Sequence, residues 1–106
     1  DGKQTRDYVF VGDVVRANLA ALKCPYVGSV NIGTGVETDV VALYAHLRVL
    51  TGSPHPAQHG PAQAGEQRRS VIAIGRAAEV LGWKPEIALE EGLRRTVEFF
   101  RARLQA

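Results

Sequence analysis

The sequence has 106 residues, a length typical of one domain, and 45% of them are hydrophobic, which excludes a disordered chain. Thirteen Lys and Arg face eleven Asp and Glu, so the net charge of +2 is too small to indicate a nucleic-acid surface. No apolar run approaches the roughly 20 residues of a membrane span. The single cysteine fits a reducing compartment, so we expect a cytoplasmic protein. The first residue is Asp1 rather than Met, which predicts an internal position in a longer polypeptide.

The first predicted element is a buried strand, Tyr8–Val11, whose β-branched and aromatic residues suit a sheet. Asp13 is then predicted to cap a helix that begins at Val14. Arg6 would stand at the mouth of this strand, where a guanidinium can meet a phosphate with paired donors. From this stretch alone, the preferred interpretation is that Arg6 and Asp7 are solvated charges that precede a core strand.

Further along the chain, apolar residues at the helical period predict most of the regular structure. A brief strand is predicted at Ser29–Ile32, and Thr38 is the predicted N-cap of the helix that follows it. Residues 53–65 are rich in proline and glycine and should be irregular, with order returning at Gln67–Ile72. Helices are predicted over residues 14–23, 39–51, 74–81 and 89–104.

Two motifs raise the possibility of a ligand, and neither establishes one. Gly33–Gly35 follows a strand and precedes a helix, as a dinucleotide-binding turn does, but Thr38 replaces the third glycine and no acid follows about 20 residues on. We interpret it as a tight structural turn. His55 and His59 are four residues apart, but they lie among prolines without an adjacent acid or cysteine, so we interpret them as loop histidines.

The segment Gly65–Ser70 combines a flexible glycine with one acid and two arginines. Glu66 could accept hydrogen bonds from sugar hydroxyls, and Arg68 and Arg69 could reach a phosphate. The alternative is a solvated loop. We find no nucleophile with its base and orienting group, and no Tyr followed four residues later by Lys, so no catalytic residue is assigned.

Three blocks occur in the order and rough spacing of one family. The run Arg6–Val15 resembles the RDYVxVxDVV block of sugar-nucleotide epimerases, and Asn31–Thr38 resembles their NIGTGxET block. Gly65–Ser70, Ala77–Pro85 and Leu89–Leu93 resemble their C-terminal end. On these motifs, which cover nearly the whole chain, the sequence is similar to the extended short-chain dehydrogenase/reductases, and among them to the UDP-glucose 4-epimerases.

The resemblance implies a helix-rich α+β fragment with a few short strands, cut from an α/β Rossmann-type enzyme. Residues 1–106 would form a single C-terminal substrate-binding domain, without the Rossmann domain that holds NAD and a Tyr-x-x-x-Lys pair. The chain would bind part of a UDP-sugar for an NAD-dependent isomerase and would be inactive alone, with no cofactor or metal of its own. A dehydratase or reductase fragment remains open, as does a stand-alone interaction or scaffold module. The implied partners are the N-terminal Rossmann domain and, through exposed apolar surface, a second copy of the fragment.

The resemblance also assigns two substrate-binding residues. Arg6 falls on the family arginine that contacts the UDP phosphates, and Glu66 falls on the acid of the RxGE/D loop beside the substrate ribose. The arginine of that loop should stand at Gln63, and its replacement removes one phosphate contact. Arg68 or Arg69 could compensate for it.

Overall fold

The computed structural model describes residues 1–61 and 65–105, and helices dominate this part of the chain. The elements in order are β1 (Thr5–Arg6), α1 (Val11–Leu22), β2 (Thr38–Asp39), α2 (Val40–Thr51), α3 (Gly75–Leu81) and α4 (Leu89–Gln105). This is the predicted helix-rich α+β arrangement, and α2, α3 and α4 begin and end within one residue of their predicted bounds. Among the described residues, no helix has both the length and the apolar character that crossing a bilayer would require.

The segment before α1 is not the predicted strand. β1 covers only Thr5–Arg6, and α1 begins at Val11 rather than at Val14. Phe10 is the N-cap residue, with extended backbone and no side-chain hydrogen bond to the helix. Asp13 therefore lies in the first turn of α1 and does not cap it.

Asp13 instead connects α1 to the turn that precedes α4. Its carboxylate is buried and accepts hydrogen bonds from the N–H groups of Glu86 (3.2 Å) and Ile87 (3.1 Å) and from Arg16 Nη2 (2.9 Å). The indole Nε1 of Trp83 donates to the Asp13 carbonyl at 2.8 Å. Burial raises the pKa of the Asp13 carboxyl, but the bonds from Arg16 and the two N–H groups outweigh it, so the pKa lies below its ordinary value. These distant contacts explain why a local capping rule misplaced the helix start.

The predicted strand Ser29–Ile32 is also wrong, because this segment has no ladder partner in the described part of the chain. Val30 and Ile32 instead pack against a small core formed by α1, α3 and Trp83. Strand propensity describes the fit of side chains to a pleated surface, and it cannot supply the neighbouring strand that a ladder needs.

The start of α2 differs from its prediction by one residue. Asp39, not Thr38, is the N-cap, and its carboxylate accepts a hydrogen bond from the Ala42 N–H at 2.6 Å. Two other ends are as predicted: Gly52 closes α2 with φ 70° and Gly82 closes α3 with φ 63°. This left-handed conformation is the one in which glycine terminates helices.

Helix α4 packs closely only in its first half. Gly92 is buried, and a Cβ atom built there would lie 3.3 Å from Phe10 Cδ1, so close packing accounts for a glycine inside this helix. Val97, Phe100 and Leu104 form an apolar stripe at helical spacing, but Val97 is buried whereas Phe100 and Leu104 are 56% and 86% exposed. The C-terminal half of the stripe is therefore exposed to solvent.

Candidate functional site

The backbone of β1 is held from both sides, which fixes the position of Arg6. β1 pairs antiparallel with β2, and Arg6 lies opposite Thr38. On the other side, the Thr5 N–H donates to the Arg68 carbonyl at 2.9 Å, and the Ser70 N–H donates to Thr5 Oγ1 at 3.2 Å. Two parts of the chain that are distant in sequence therefore meet beside Arg6.

The two substrate-binding residues implied by the resemblance, Arg6 and Glu66, are in direct contact. Arg6 Nη2 donates to Glu66 Oε1 at 3.2 Å, and 32% and 35% of the two side chains are exposed. Arg6 Nη1 donates to the carbonyls of Thr5 (2.6 Å) and Gln67 (2.8 Å). A guanidinium carries five N–H donors. Within the described residues, the Nε–H and one Nη2–H thus remain available to a ligand.

A cavity of about 500 Å³ opens next to Glu66, a size within the range of small-molecule sites. Four parts of the chain line it: residues 1, 2 and 4 before β1, residues 40, 41 and 44 of α2, residues 57–61, and residues 66–68. Glu66 belongs both to this wall and to the ion pair with Arg6. Arg6 itself is not among the described residues that line the cavity, so Glu66 is the link between the cavity and the guanidinium.

The proline- and glycine-rich loop forms one wall of the cavity. The Tyr44 hydroxyl donates to the His55 carbonyl, and Arg48 donates to two further loop carbonyls at 3.2 Å each. These bonds attach the irregular loop to α2 and place His59 in the cavity wall. No sequence pattern indicates this position of His59, because tertiary packing alone creates it. In residues 1–61 and 65–105, no three His, Cys, Asp or Glu side chains converge as a metal site would require.

Asp7 is a positioning residue that the sequence did not single out. Its carboxylate accepts hydrogen bonds from the N–H and Oγ1 of Thr34 (2.9 and 2.7 Å), the Gly35 N–H (3.0 Å) and the Ile72 N–H (3.1 Å). Burial raises the pKa of the Asp7 carboxyl, but these bonds outweigh it, so the pKa lies below its ordinary value. The glycine turn thus directs its N–H groups at an internal carboxylate, as an anion-binding nest would at a phosphate. Asp7 thereby fixes the backbone next to Arg6.

The two arginines that could replace the missing loop arginine are both paired with acids. Arg68 donates to the two carboxylate oxygens of Asp1 at 2.8 and 2.9 Å, and Arg69 donates to those of Glu37 at 3.0 Å each. Gln63 lies outside the described residues. Arg68 is part of the cavity wall, but its guanidinium already binds a carboxylate of the protein.

Known proteins resemble this chain over nearly its whole length. The model of the NAD dependent epimerase/dehydratase family matches residues 1–33. The UDP-glucose 4-epimerase of Mycolicibacterium smegmatis is 46% identical over 106 residues, which are 99% of this chain and 34% of that protein. The structure of the Thermotoga maritima UDP-glucose 4-epimerase with UDP-glucose matches with a TM-score of 0.93 and 45% identity, over 98% of this chain and 34% of that one. The chain is therefore similar to enzymes of the NAD dependent epimerase/dehydratase family over nearly its whole length.

Further similar proteins are named for different UDP-sugars. The UDP-glucuronic acid decarboxylase 1 of Arabidopsis thaliana is 33% identical over 104 residues, 98% of this chain and 24% of that protein. MoeE5, solved in complex with UDP-glucuronic acid and NAD, matches with a TM-score of 0.89 and 34% identity, over 97% of this chain and 35% of that one. This chain therefore spans about a third or less of the length of these relatives.

Proposed function

We propose that this chain is the nucleotide-sugar-binding portion of a UDP-glucose 4-epimerase-like, NAD-dependent isomerase. The observation that carries the proposal is the contact between Arg6 and Glu66 at the edge of the cavity. Within the described residues, two N–H donors of the guanidinium make no hydrogen bond and suit the oxygens of a diphosphate, and the carboxylate beside it can accept hydrogen bonds from sugar hydroxyls. Such a pair recognises a ligand that carries both groups, as a UDP-sugar does.

In this proposal the chain binds part of the substrate and catalyses nothing by itself. NAD, when bound in the enzymes of the family, supplies the hydride chemistry. The Gly33–Gly35 turn of this chain does not suit the phosphates of NAD, because the Thr34 and Gly35 N–H groups already donate to Asp7. A Rossmann domain preceding these residues is the proposed partner that holds NAD and the Tyr-x-x-x-Lys pair.

Similarity favours an epimerase over the other reactions that act on UDP-sugars. The chain is 46% identical to a UDP-glucose 4-epimerase and 33% identical to a UDP-glucuronic acid decarboxylase. A dehydratase or reductase would require the same phosphate-binding residues, so the site by itself does not separate these reactions. In the part of the chain that the structure describes, two donors of Arg6 are unbonded and Arg6 contacts Glu66 of the cavity wall; both observations favour ligand binding over a purely scaffolding role.

Binding is tested by calorimetric titration of UDP into the full gene product that carries this chain. Arg6→Ala should weaken UDP binding by about 1.5–3 kcal/mol, the range for a hydrogen bond to a charged group. Arg76→Ala is a matched control, because Arg76 lies on the surface of α3 and contacts Tyr26 rather than Arg6 or Glu66. Unchanged UDP affinity in a folded Arg6→Ala variant would refute the assignment.

The reaction is tested separately from binding. The full gene product, supplied with NAD and UDP-galactose, should form UDP-glucose, which chromatography separates from the substrate. Arg6→Ala should reduce this conversion and Arg76→Ala should not. UDP binding that depends on Arg6, without any interconversion of the two sugars, would retain the binding site and exclude the epimerase.

A further inference from the structure

We infer that Glu66 makes the Arg6 site selective against bare phosphate anions, so that a ligand binds well only when hydroxyl groups accompany its phosphate. This inference rests on the proposed function and adds to it the basis of ligand choice. Inorganic phosphate and pyrophosphate carry the charge that Arg6 attracts. A site built from the guanidinium alone would therefore bind these anions as well as a nucleotide sugar.

The hydrogen bonds of Arg6 determine the direction from which an anion can approach. Nη1 is committed to the carbonyls of Thr5 and Gln67, at 2.6 and 2.8 Å, and these bonds hold the plane of the guanidinium. The available donors therefore lie on the Nε–Nη2 side, and Nη2 is the atom that also contacts Glu66 at 3.2 Å. A bidentate phosphate on that side would place its oxygens next to the Glu66 carboxylate.

Two negative groups on one guanidinium repel each other, so the carboxylate must move or the anion binds weakly. A bare anion at neutral pH offers few hydrogen-bond donors, and the displaced carboxylate gains no partner from it. A UDP-sugar differs because its hydroxyls can occupy the cavity that Glu66 lines. The carboxylate can then exchange Arg6 for hydroxyl donors while a phosphate oxygen takes its place on Nη2. Selectivity arises because displacing Glu66 from Arg6 costs more free energy for a bare anion than for a UDP-sugar.

The exposure of the pair supports a local role for Glu66. The side chains of Arg6 and Glu66 are 32% and 35% exposed, whereas those of Arg68 and Asp1, the other pair at the cavity, are 61% and 50% exposed. Water screens the more exposed pair more strongly. The Glu66 carboxylate is thus the acid placed to affect an anion at Arg6.

The test uses Glu66→Gln in the full gene product, with inorganic pyrophosphate and UDP as probes in calorimetric titrations. Glu66→Gln should bind pyrophosphate about three- to fivefold more tightly than the wild type, the gain expected when a partly exposed ion pair and its repulsion are removed. UDP binding should not improve in parallel, because the glutamine cannot replace a charged acceptor for the hydroxyls. The ratio of UDP affinity to pyrophosphate affinity therefore falls.

Two further variants separate a local effect from a general change of charge. Glu98→Gln loses the same charge but pairs with Arg94 within α4, so its pyrophosphate affinity should equal that of the wild type. In the double variant Arg6→Ala/Glu66→Gln, the pyrophosphate gain should disappear, because the competition occurs on Arg6. A gain that persists without Arg6, or that appears equally in Glu98→Gln, overturns the inference.

The outcomes also distinguish this inference from the proposed function. UDP affinity that depends on Arg6, together with an unchanged affinity ratio in Glu66→Gln, retains the proposed function and rejects the selectivity. UDP affinity that does not depend on Arg6 rejects both.

Discussion

Arg6 and Asp7 are neighbours in sequence, but their side chains have different roles. Within the described residues, two N–H donors of Arg6 make no hydrogen bond, whereas Asp7 accepts hydrogen bonds from Thr34, Gly35 and Ile72 inside the protein. The internal bonds hold the backbone next to Arg6, the proposed ligand-binding residue, in place. The proposed anion-binding guanidinium thus lies next to an acid whose own charge already has hydrogen-bond partners.

This role makes Asp7→Asn a test of positioning. The amide nitrogen of asparagine cannot accept from the Gly35 or Ile72 N–H, so we expect the free energy of unfolding to fall by about 2–3 kcal/mol, measured by urea denaturation. Asp1→Asn is the control, because its exposed pair with Arg68 should contribute at most about 1 kcal/mol. Equal losses in the two variants would contradict the positioning role.

The pH dependence of stability follows from the same carboxylates. Asp7 and Asp13 have folded-state pKa values below the ordinary 3.8, so the unfolded chain binds protons more readily. Their stabilisation is complete above the unfolded value and is lost as the pH falls through the lower folded values. We expect the free energy of unfolding to drop between about pH 5 and about pH 3, with a smaller drop in Asp7→Asn. Urea denaturation at both pH values measures this drop in the free energy of unfolding. An identical drop in the variant and the wild type would argue against Asp7 as a cause of the pH dependence.

At the scale of elements, the sequence predicted the helix bounds that depend on neighbouring residues in the chain. The bounds of α2, α3 and α4 follow from apolar periodicity and from Gly52 and Gly82, whose left-handed backbone ends two of these helices. The start of α1 and the strand at Ser29–Ile32 depend on partners elsewhere in the chain, and both predictions failed. Local patterns contain no information about which distant backbone an element will meet.

The same distinction applies to the candidate site. Sequence resemblance selected Arg6 and Glu66, and the structure places their side chains 3.2 Å apart. Sequence resemblance did not select Asp7 or His59. The role of Asp7 depends on hydrogen bonds to a turn about 27 residues away, and the position of His59 depends on the attachment of a loop to α2. Resemblance names single residues, and their substrate-binding role stays a prediction, whereas the groups that support them are apparent only from packing.

The turn that Asp7 holds provides an element-scale prediction. A Cβ atom at Gly33 would lie 2.7 Å from Ile72 Cβ and 2.8 Å from Asp7 Oδ2, closer than packed atoms approach. Gly33→Ala should therefore lower the free energy of unfolding by about 1–3 kcal/mol, as overpacking does. Gly60→Ala is the control, because nothing lies within 4 Å of its Cβ position. Thermal melting of both variants checks this, and a Gly33→Ala variant as stable as Gly60→Ala would show that the turn can relax.

At the scale of the whole molecule, the chain exposes more surface than its size requires. Its accessible surface is 7715 Å², about 1,900 Å² more than the roughly 5,800 Å² expected for a folded monomer of 11.5 kDa. Its radius of gyration is 16.3 Å, where about 13 Å is expected. A standard interface covers about 800 Å² on each partner, so the excess is large enough for a stable contact.

A continuous apolar stripe on α1 is the surface that should make this contact in the isolated chain. Val11, Val15, Leu19 and Leu22 follow one another at helical spacing and are 68%, 50%, 55% and 83% exposed. A stripe on one helix is self-complementary about a two-fold axis, because each copy presents the same residues to the other. The 106-residue chain is therefore predicted to form a dimer through α1.

Light scattering across a concentration series should show the mass of the isolated chain rising from that of a monomer towards that of a dimer. Leu19→Glu places a charge in the centre of the stripe and should keep the chain monomeric, since an unpaired carboxylate is costly to bury. Val49→Glu is the matched control, because Val49 is 83% exposed but lies on α2, away from the stripe, and should not change the mass. A monomeric mass at every concentration, or equal effects of the two substitutions, would exclude α1 as the contact, because only a specific helix face distinguishes Leu19 from Val49.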